Sequence, residues 1–400
     1  MLQGVQKGEA MTVHLGIEIL LRERRELLAG ARIGAVVHPA SLLPSLEHSA
    51  DALFRDKSLR LVALFGPQHG ARGEKQDNMV ESGFYLDPDT RLPVHSLYGE
   101  TRWPTEEMMS GIDVMVYDLQ DVGTRVYTFI YTLAYCMEAC RRYGKRLVVA
   151  DRPNPINGMQ IEGNILDPAY ASFVGRFPLP MRHGMTVGEL ALMFQGEFGI
   201  ACDLAVVPMQ GWRRGLWHDQ TALPWIMPSP NLPTLDSATV YPGAVLVEGT
   251  LLSEGRGTTR PFELIGAPYI DARRLAARLN DLRLDGVRFR PVYFEPTFQK
   301  HAHQLCAGVQ LHVLDRARFQ PVLAGIAVLS AVRELHPDQF QWRRPPYEYE
   351  FDRMPIEILC GGSQIARAVD SGMSVRELWA GWEDDLVRFD ARRRPFLLYD

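Results

Sequence analysis

The chain contains 400 residues, of which 46% are hydrophobic, and its 43 Lys and Arg against 48 Asp and Glu give a formal net charge of −5. This size and composition are typical of a soluble globular protein with two domains. Nucleic-acid binding would require a basic domain or stripe, which an acidic balance does not offer. We therefore predict no nucleic-acid partner.

The apolar runs of the sequence are short. Residues 112–117 form one of the longest, far below the roughly 20 residues that a membrane-spanning helix needs, and the polar N-terminus lacks the apolar core of a signal peptide. The 5 cysteines are odd in number and scattered, which fits reduced thiols better than disulfides. We expect a cytoplasmic protein without a membrane partner, for which an oligomer is possible but not readable from sequence.

Short apolar runs alternate with amphipathic stretches over the first half of the chain, as in βα units built on a parallel sheet. The predicted strands cover residues 33–37, 59–65, 113–118, 146–151 and 203–207. The predicted helices cover residues 17–29, a segment starting near Thr105, residues 125–143 and a segment opening with the capping box 186–189. This pattern predicts an α/β domain.

The alternation of strands and helices ends after residue 207, where six prolines up to position 242 predict an irregular connector. The rest of the chain mixes predicted helices (271–282, 321–335, 375–389) with predicted strands (287–294, 308–314). This is an α+β pattern. We predict an N-terminal α/β domain at residues 15–240 and a smaller α+β domain at residues 241–400, with the boundary near Tyr241.

Polar or titratable groups follow four successive predicted strands. In an open parallel sheet, ligands bind in the crevice outside the carboxyl ends of the strands. The groups in question are His38, Gln68, His69, Asp118, Gln120, Asp121, Arg125, Asp151, Arg152 and Asn154. Chance turn chemistry would favour Gly, Ser and Asn, so we expect a binding site at this edge. The alternative, that these groups cap helices and form turns, suits Asp118 and Asn154 individually.

Common cofactor and nucleophile motifs are missing. Residues 37–41 follow the first strand in place of a G-x-G-x-x-G turn, and neither a P-loop nor a G-x-S-x-G elbow occurs. His301, His303, Cys306 and His312 match no zinc spacing. We predict neither a cofactor nor a metal.

Carboxylates are what the predicted crevice offers instead. Glu74, Asp77 and Glu81 follow the second strand, and Glu162 follows the fourth. Glycoside hydrolysis needs such groups, because one carboxylic acid with a raised pKa protonates the leaving oxygen while a second group acts as nucleophile, base or charge stabiliser. The sequence is thus compatible with a glycosidase.

Several long motifs together resemble the NamZ family of exo-β-N-acetylmuramidases. They are GPQHG (66–70), YDLQDVGTR (117–125), DRPNP (151–155), RHGMT (182–186), PSPN (228–231) and SEGRGT (253–258). The likeness runs from about residue 15 to the C-terminus. It implies a Rossmann-like parallel sheet with helices on both faces, a smaller α+β C-terminal domain, and an active site in the cleft between them. It also implies removal of N-acetylmuramic acid from the non-reducing end of peptidoglycan fragments.

The chain departs from this family at Gln68, where related sequences commonly carry a glutamate that resembles a catalytic carboxylate. An amide cannot exchange a proton in acid–base catalysis. Gln68 could hold the 2-acetamido group of the sugar while that group acts as internal nucleophile. Alternatively, Glu74 or Glu81 has taken over the lost role, or the protein is a weakened carbohydrate-binding or sensing protein.

The resemblance also implies roles for other residues. Glu162 corresponds to a glutamate in related sequences and is the favoured general acid, with a loop-steadying surface carboxylate as the alternative. His69 and His183 would contact substrate hydroxyls or the lactyl carboxylate. Three arginines are candidates for that carboxylate, since guanidinium binds it bidentately, although each could instead be a structural ion-pair partner. They are Arg125, Arg152 and Arg256.

Seven further residues complete the predicted substrate-binding set. Asp118 and Asp121 are expected to orient the substrate directly or through a neighbour. The others are Gln120, Asp151, Asn154, Asn231 and Glu254. The expected partner is a small amino sugar or muropeptide.

Overall fold

A computed structural model describes residues 12–73 and 83–400. Its first half contains a seven-stranded sheet and a separate hairpin. The strands are β1 (Arg32–Val36), β2 (Arg60–Gly66), β3 (Tyr85–Leu86), β4 (Pro93–Ser96), β5 (Val114–Tyr117), β6 (Arg146–Ala150), β7 (Glu162–Ile165), β8 (Pro180–Arg182) and β9 (Asp203–Val207). All five predicted strands are present, whereas β3, β4 and the β7–β8 hairpin were not predicted.

The sheet has the order β3-β4-β2-β1-β5-β6-β9, and every neighbouring pair is parallel except β3 with β4. Without β3, the six parallel strands follow the spatial order 3-2-1-4-5-6 of a Rossmann sheet. Strand order reverses between β1 and β5, so their carboxyl ends flank the usual ligand crevice. The predicted Rossmann-like class is confirmed.

Helices cover both faces of this sheet. They are α1 (Gly16–Glu23), α2 (Ser49–Arg55), α3 (Glu106–Ser110), α4 (Phe129–Tyr143) and α5 (Val187–Gly196). Alternate β1 side chains point to opposite faces: Ile33 and Ala35 pack with α1 and α2, while Val36 packs in the core that contains α4 and α5. Helix α4 starts later than predicted because the backbone N–H of Arg125 donates to the carbonyl of Met181 in β8, which holds that segment extended.

The second half of the chain forms the smaller α+β part. Its antiparallel sheet has the order β10-β12-β11, from β10 (Leu264–Ala267), β11 (Val287–Phe294) and β12 (Cys306–Val313). Its helices are α6 (Leu235–Ala244), α7 (Ala272–Asp281), α8 (Pro321–Leu335), α9 (Pro355–Cys360), α10 (Gln364–Ser371), α11 (Val375–Ala380) and α12 (Glu383–Arg393).

Three differences from the predicted elements have local causes. Helix α6 crosses the predicted irregular connector and carries Pro242 in its last turn; there α6 meets α8 so closely that a Cβ on Gly243 would lie 1.8 Å from the Pro321 carbonyl oxygen. The predicted helix 375–389 is two helices, since α11 ends before Gly381, a poor helix former. Strand β10 was missed.

One continuous apolar core runs through both halves, from α4 to α8 and α10. Within the described ranges, no helix is long and apolar enough to cross a membrane.

Candidate active site

A small cavity lies where the carboxyl end of β2 and the residues before α4 meet the second half of the chain. We call it the central cavity. Its polar lining consists of Gln68, His69, Thr128, Ser229, Glu248, Arg256, Tyr347 and Glu348. Residues from both halves of the chain therefore share one site.

Glu348 is a buried carboxyl group in the central cavity. Its Oε2 accepts a hydrogen bond of 2.9 Å from the hydroxyl of Tyr98. Burial raises the pKa of Glu348 to about 7, even though the Tyr98 hydrogen bond works in the opposite direction. A carboxylic acid that keeps its proton near neutral pH is suited to general acid catalysis.

Glu248 is a second buried carboxyl group in the cavity, with the opposite pKa shift. Burial disfavours its ionisation, but the charge and hydrogen bond of Arg256 outweigh burial and hold the pKa of Glu248 below its ordinary value. Arg256 Nη2 lies 2.8 Å from Glu248 Oε1, and the Tyr347 hydroxyl donates to Oε2 over 2.8 Å. The cavity thus pairs an acid with a carboxylate.

The Ser253–Thr258 motif places Arg256 in this site. Gly255 and Gly257 both have φ = 79°, a region that favours glycine, and a Cβ on Gly257 would lie 2.7 Å from the backbone of Phe298. Arg256 also contacts Glu254 at 3.2 Å. Two carboxylates therefore neutralise Arg256, while its Nη1 is buried without a hydrogen-bond partner.

Both polar atoms of the Gln68 amide form hydrogen bonds. Its Nε2 donates to the Tyr98 hydroxyl over 3.2 Å, and its Oε1 accepts from Thr128 Oγ1 over 2.8 Å. The Tyr98 hydroxyl in turn donates to Glu348. Gln68 is therefore connected to the buried acid through one hydroxyl group.

Four of the twelve described non-glycine residues with positive φ lie in the central cavity or next to a residue that lines it: His69 (74°), Phe262 (66°), Glu348 (45°) and Tyr349 (68°). Each such conformation costs free energy and persists only where the surroundings enforce it. The other eight lie elsewhere in the chain, so backbone strain accompanies this site without identifying it.

Family models of the exo-β-N-acetylmuramidase NamZ match residues 33–236 (N-terminal model) and 239–399 (C-terminal model). The chain belongs to the NamZ family. A peptidoglycan β-N-acetylmuramidase NamZ of Bacillus subtilis (strain 168) is 46% identical over 394 residues, which cover 98% of this chain and 93% of the relative.

Two solved structures of DUF1343 family proteins from Bacteroides fragilis NCTC 9343 share this fold. One is 36% identical with a TM-score of 0.87, and covers 98% of this chain and 100% of its own. The other is 30% identical with a TM-score of 0.77, and covers 97% and 99%. The NamZ fold therefore extends over nearly the whole chain.

Arg125 and Arg152, two candidates for a substrate carboxylate, have other partners. The guanidinium of Arg125 is fully buried and donates to backbone carbonyls on β7 and in the loop before β8, and to Leu359 and Cys360 at the end of α9. Arg152 binds Asp118 through two hydrogen bonds of 2.6 and 2.9 Å. The structure gives both arginines a structural role in place of the expected contact.

Glu162, the expected general acid, lines a different cavity. Its Oε1 accepts the backbone N–H groups of Val322 (2.7 Å) and Leu323 (3.2 Å) at the start of α8. Burial raises the pKa of Glu162 to about 7, against the opposing charge of Arg182. Glu162 thus caps α8 and lies outside the central cavity. Glu74 and Glu81 lie outside the described residues.

The remaining expected binding residues mostly support the loops around the sheet edge. Asp151 accepts hydrogen bonds of 2.7 Å from Thr186 and Gly188 and so caps α5. The other contacts are Asp121 with His183 (3.3 Å), Asn154 with the Met185 carbonyl (3.0 Å) and Gln120 with the Pro153 carbonyl (2.8 Å). Asn231 is buried two residues from Ser229 of the central cavity.

Glu248, Glu348 and Tyr98 are not among the predicted site residues. None of them follows one of the five predicted strands, whose carboxyl ends were the expected place of the site. The available signal was local: the stretch of residues 345–350 alternates Tyr and Glu after two prolines. Among the described residues, no group of three or more His, Cys, Asp or Glu side chains could hold a metal ion.

Proposed function

We propose that this protein is an exo-acting glycosidase that removes β-linked N-acetylmuramic acid from the non-reducing end of peptidoglycan fragments. Membership of the NamZ family and the 46% identity to a peptidoglycan β-N-acetylmuramidase support the substrate class. The observation that carries the proposal is the pair Glu348 and Glu248, two buried carboxyl groups whose pKa values are shifted in opposite directions within one cavity.

In this proposal Glu348 is the general acid. Its proton passes to the glycosidic oxygen as the bond to the anomeric carbon breaks, and water supplies the hydroxyl group that replaces the leaving sugar. The proton released by that water returns the site to its starting state. Glu248, held ionised by Arg256, faces the positive charge that develops on the sugar ring.

Gln68 positions the acid in this scheme and takes no proton itself. The alternative, a weakened carbohydrate-binding or sensing protein, rests on Gln68 alone. Glu348 and Glu248 still provide an acid and a carboxylate in the cavity, so we favour hydrolysis. A cytoplasmic site of action remains a prediction from sequence.

The test is the release of a chromogenic leaving group from a β-N-acetylmuramide and of free N-acetylmuramic acid from glycan fragments. We expect turnover at the non-reducing end only. Calorimetric binding of muramyl sugars without turnover would contradict the proposal and favour the binding protein.

A further inference from the structure

Arg102 is a cation held by aromatic rings beside the central cavity. Its guanidinium carbon lies 3.6 Å from the ring centroid of Tyr349, 4.6 Å from that of Phe173 and 5.9 Å from that of Tyr98. Stacking on ring faces is attractive for a cation and fixes the plane of the guanidinium. The side chain is therefore oriented before any ligand arrives.

The structure gives this guanidinium no hydrogen-bond acceptor among the described residues. Within residues 12–73 and 83–400 Arg102 forms neither an ion pair nor a hydrogen bond through its side chain, and its Nε is buried without a partner. Aromatic rings satisfy the charge of a guanidinium only in part and leave its N–H donors unused. A planar, unpaired and pre-oriented guanidinium is suited to a carboxylate, which it can bind through two hydrogen bonds.

The other arginines near the cavity are already occupied. Arg256 is neutralised by Glu248 and Glu254. Arg125 donates to backbone carbonyls, and Arg152 is paired with Asp118. Arg256 and Arg152 are therefore paired with carboxylates, and the N–H donors of Arg125 are committed to backbone carbonyls.

Arg102 also lies on the side of the cavity that holds the proposed acid. Tyr98 contributes one of the rings beside Arg102, and its hydroxyl donates to Glu348. Tyr349, whose ring also lies beside Arg102, directly follows Glu348 in the chain. Among the described residues no ion pair joins Glu348 to Arg102, although the charge of Arg102 lowers the pKa of Glu348. The N–H donors of Arg102 therefore remain for an anion that enters next to the acid.

We propose that Arg102 binds the lactyl carboxylate of N-acetylmuramic acid and makes the site selective for this sugar over neutral N-acetylhexosamines. The inference rests on the proposed function, because it assumes a muramic acid in the central cavity. It assigns the anion-binding role to a residue outside the six motifs that carry the resemblance to the family.

The experiment compares Arg102→Met and Arg102→Lys with the wild type on two substrates. One is a chromogenic β-N-acetylmuramide, and the other is the same compound with its lactyl carboxylate converted to a methylamide. Arg176→Met is the matched control, since Arg176 also stacks on rings, those of Tyr135 and Phe177, but is paired with Glu138.

We expect Arg102→Met to lower kcat/KM for the carboxylate substrate roughly 10- to 100-fold, mainly through KM, as for a lost charge-assisted hydrogen bond. Activity on the methylamide should stay within about 3-fold, and Arg102→Lys should lose less because it keeps the charge. Arg176→Met should leave the ratio of the two substrates unchanged.

Two outcomes separate this inference from the proposed function. If the wild type hydrolyses the muramide and Arg102→Met keeps the same preference for the carboxylate, the inference is wrong and the function stands. If the wild type hydrolyses neither compound, the function fails, and calorimetry with N-acetylmuramic acid against N-acetylglucosamine decides on Arg102. A preference for the acid that Arg102→Met abolishes supports anion binding; equal or absent binding of the two sugars overturns it.

Discussion

The hydroxyl of Tyr98 donates a hydrogen bond of 2.9 Å to Glu348, a residue 250 positions later in the chain. This bond joins the loop after β4 to the loop before α9, so the acid exists only when both halves of the chain are folded together. The bond lowers the pKa of Glu348, whereas burial raises it. The balance between the two sets the proton affinity of the proposed catalytic acid.

Replacing the acid itself should abolish most of the activity. Glu348→Gln keeps the size of the side chain and an acceptor for Tyr98 but has no proton to donate. We expect kcat/KM for the chromogenic β-N-acetylmuramide to fall by about 10² to 10⁴, the usual contribution of a general acid. The circular dichroism spectrum should be unchanged.

The matched control is Glu350→Gln, two residues further along the same loop and absent from the polar lining of the cavity. Its activity should stay within about 2-fold of the wild type, as is usual for a substitution away from a site. Equal losses in Glu348→Gln and Glu350→Gln would point to disruption of the loop and remove the case for Glu348 as acid.

The pH profile should report the same group. Since the active form of Glu348 is protonated and its pKa is about 7, kcat/KM should fall about tenfold per pH unit above this value. In Tyr98→Phe the hydrogen bond that stabilises the ionised form is lost, so the pKa of Glu348 rises and the alkaline limb moves to higher pH. An unshifted limb in Tyr98→Phe would assign the limb to another group.

The site could be predicted from sequence only in part. Gln68, His69 and Arg256 line the central cavity because they belong to motifs whose turns and glycines hold them there. Asp151 and Asn154 occupy equally polar strand ends, yet they cap α5 and fix a turn. A polar residue after a strand can cap a neighbouring helix or fix a turn as well as bind a ligand. Composition alone does not separate these uses.

The fold was easier to predict from the sequence than the site, because the apolar runs that indicate strands are local features of the sequence. Each parallel strand reads as a short apolar segment, and the alternation of such segments with amphipathic stretches predicts an α/β sheet. The pairing of Glu348 with Tyr98 depends instead on a contact between distant loops. The role of Glu162 was hidden for the same reason, since its partners are backbone groups of α8.

Gln68→Glu tests the position at which this chain departs from its relatives. A carboxylate at this position would add a negative charge beside Tyr98 and so raise the pKa of Glu348 further. We expect activity within about 10-fold of the wild type at pH 6 and an alkaline limb at higher pH. A gain in activity above about 100-fold would instead show that Gln68 impairs catalysis in the natural protein. A loss of activity of that size would show that the amide is required.

Glu162→Gln separates the structural from the catalytic interpretation of Glu162. The amide oxygen can accept the same two N–H groups of α8, so we expect kcat/KM within about 3-fold of the wild type at pH 6. A loss of 100-fold or more, without a change in thermal stability, would restore Glu162 as the acid. The surface substitution Glu334→Gln serves as the control for both measurements.

The ionisation of buried Glu162 should also make the stability of the protein depend on pH. Its pKa is about 7 in the folded protein against an ordinary value of 4.5. The wild type therefore keeps its full stability below the lower value and loses up to about 3 kcal/mol of unfolding free energy as pH rises to 8. Glu162→Gln lacks this loss, while the other buried acids contribute equally to both proteins. Urea unfolding at pH 5 and pH 8 should thus show similar stabilities at pH 5 and a more stable variant at pH 8; a constant difference would mean that Glu162 is solvated.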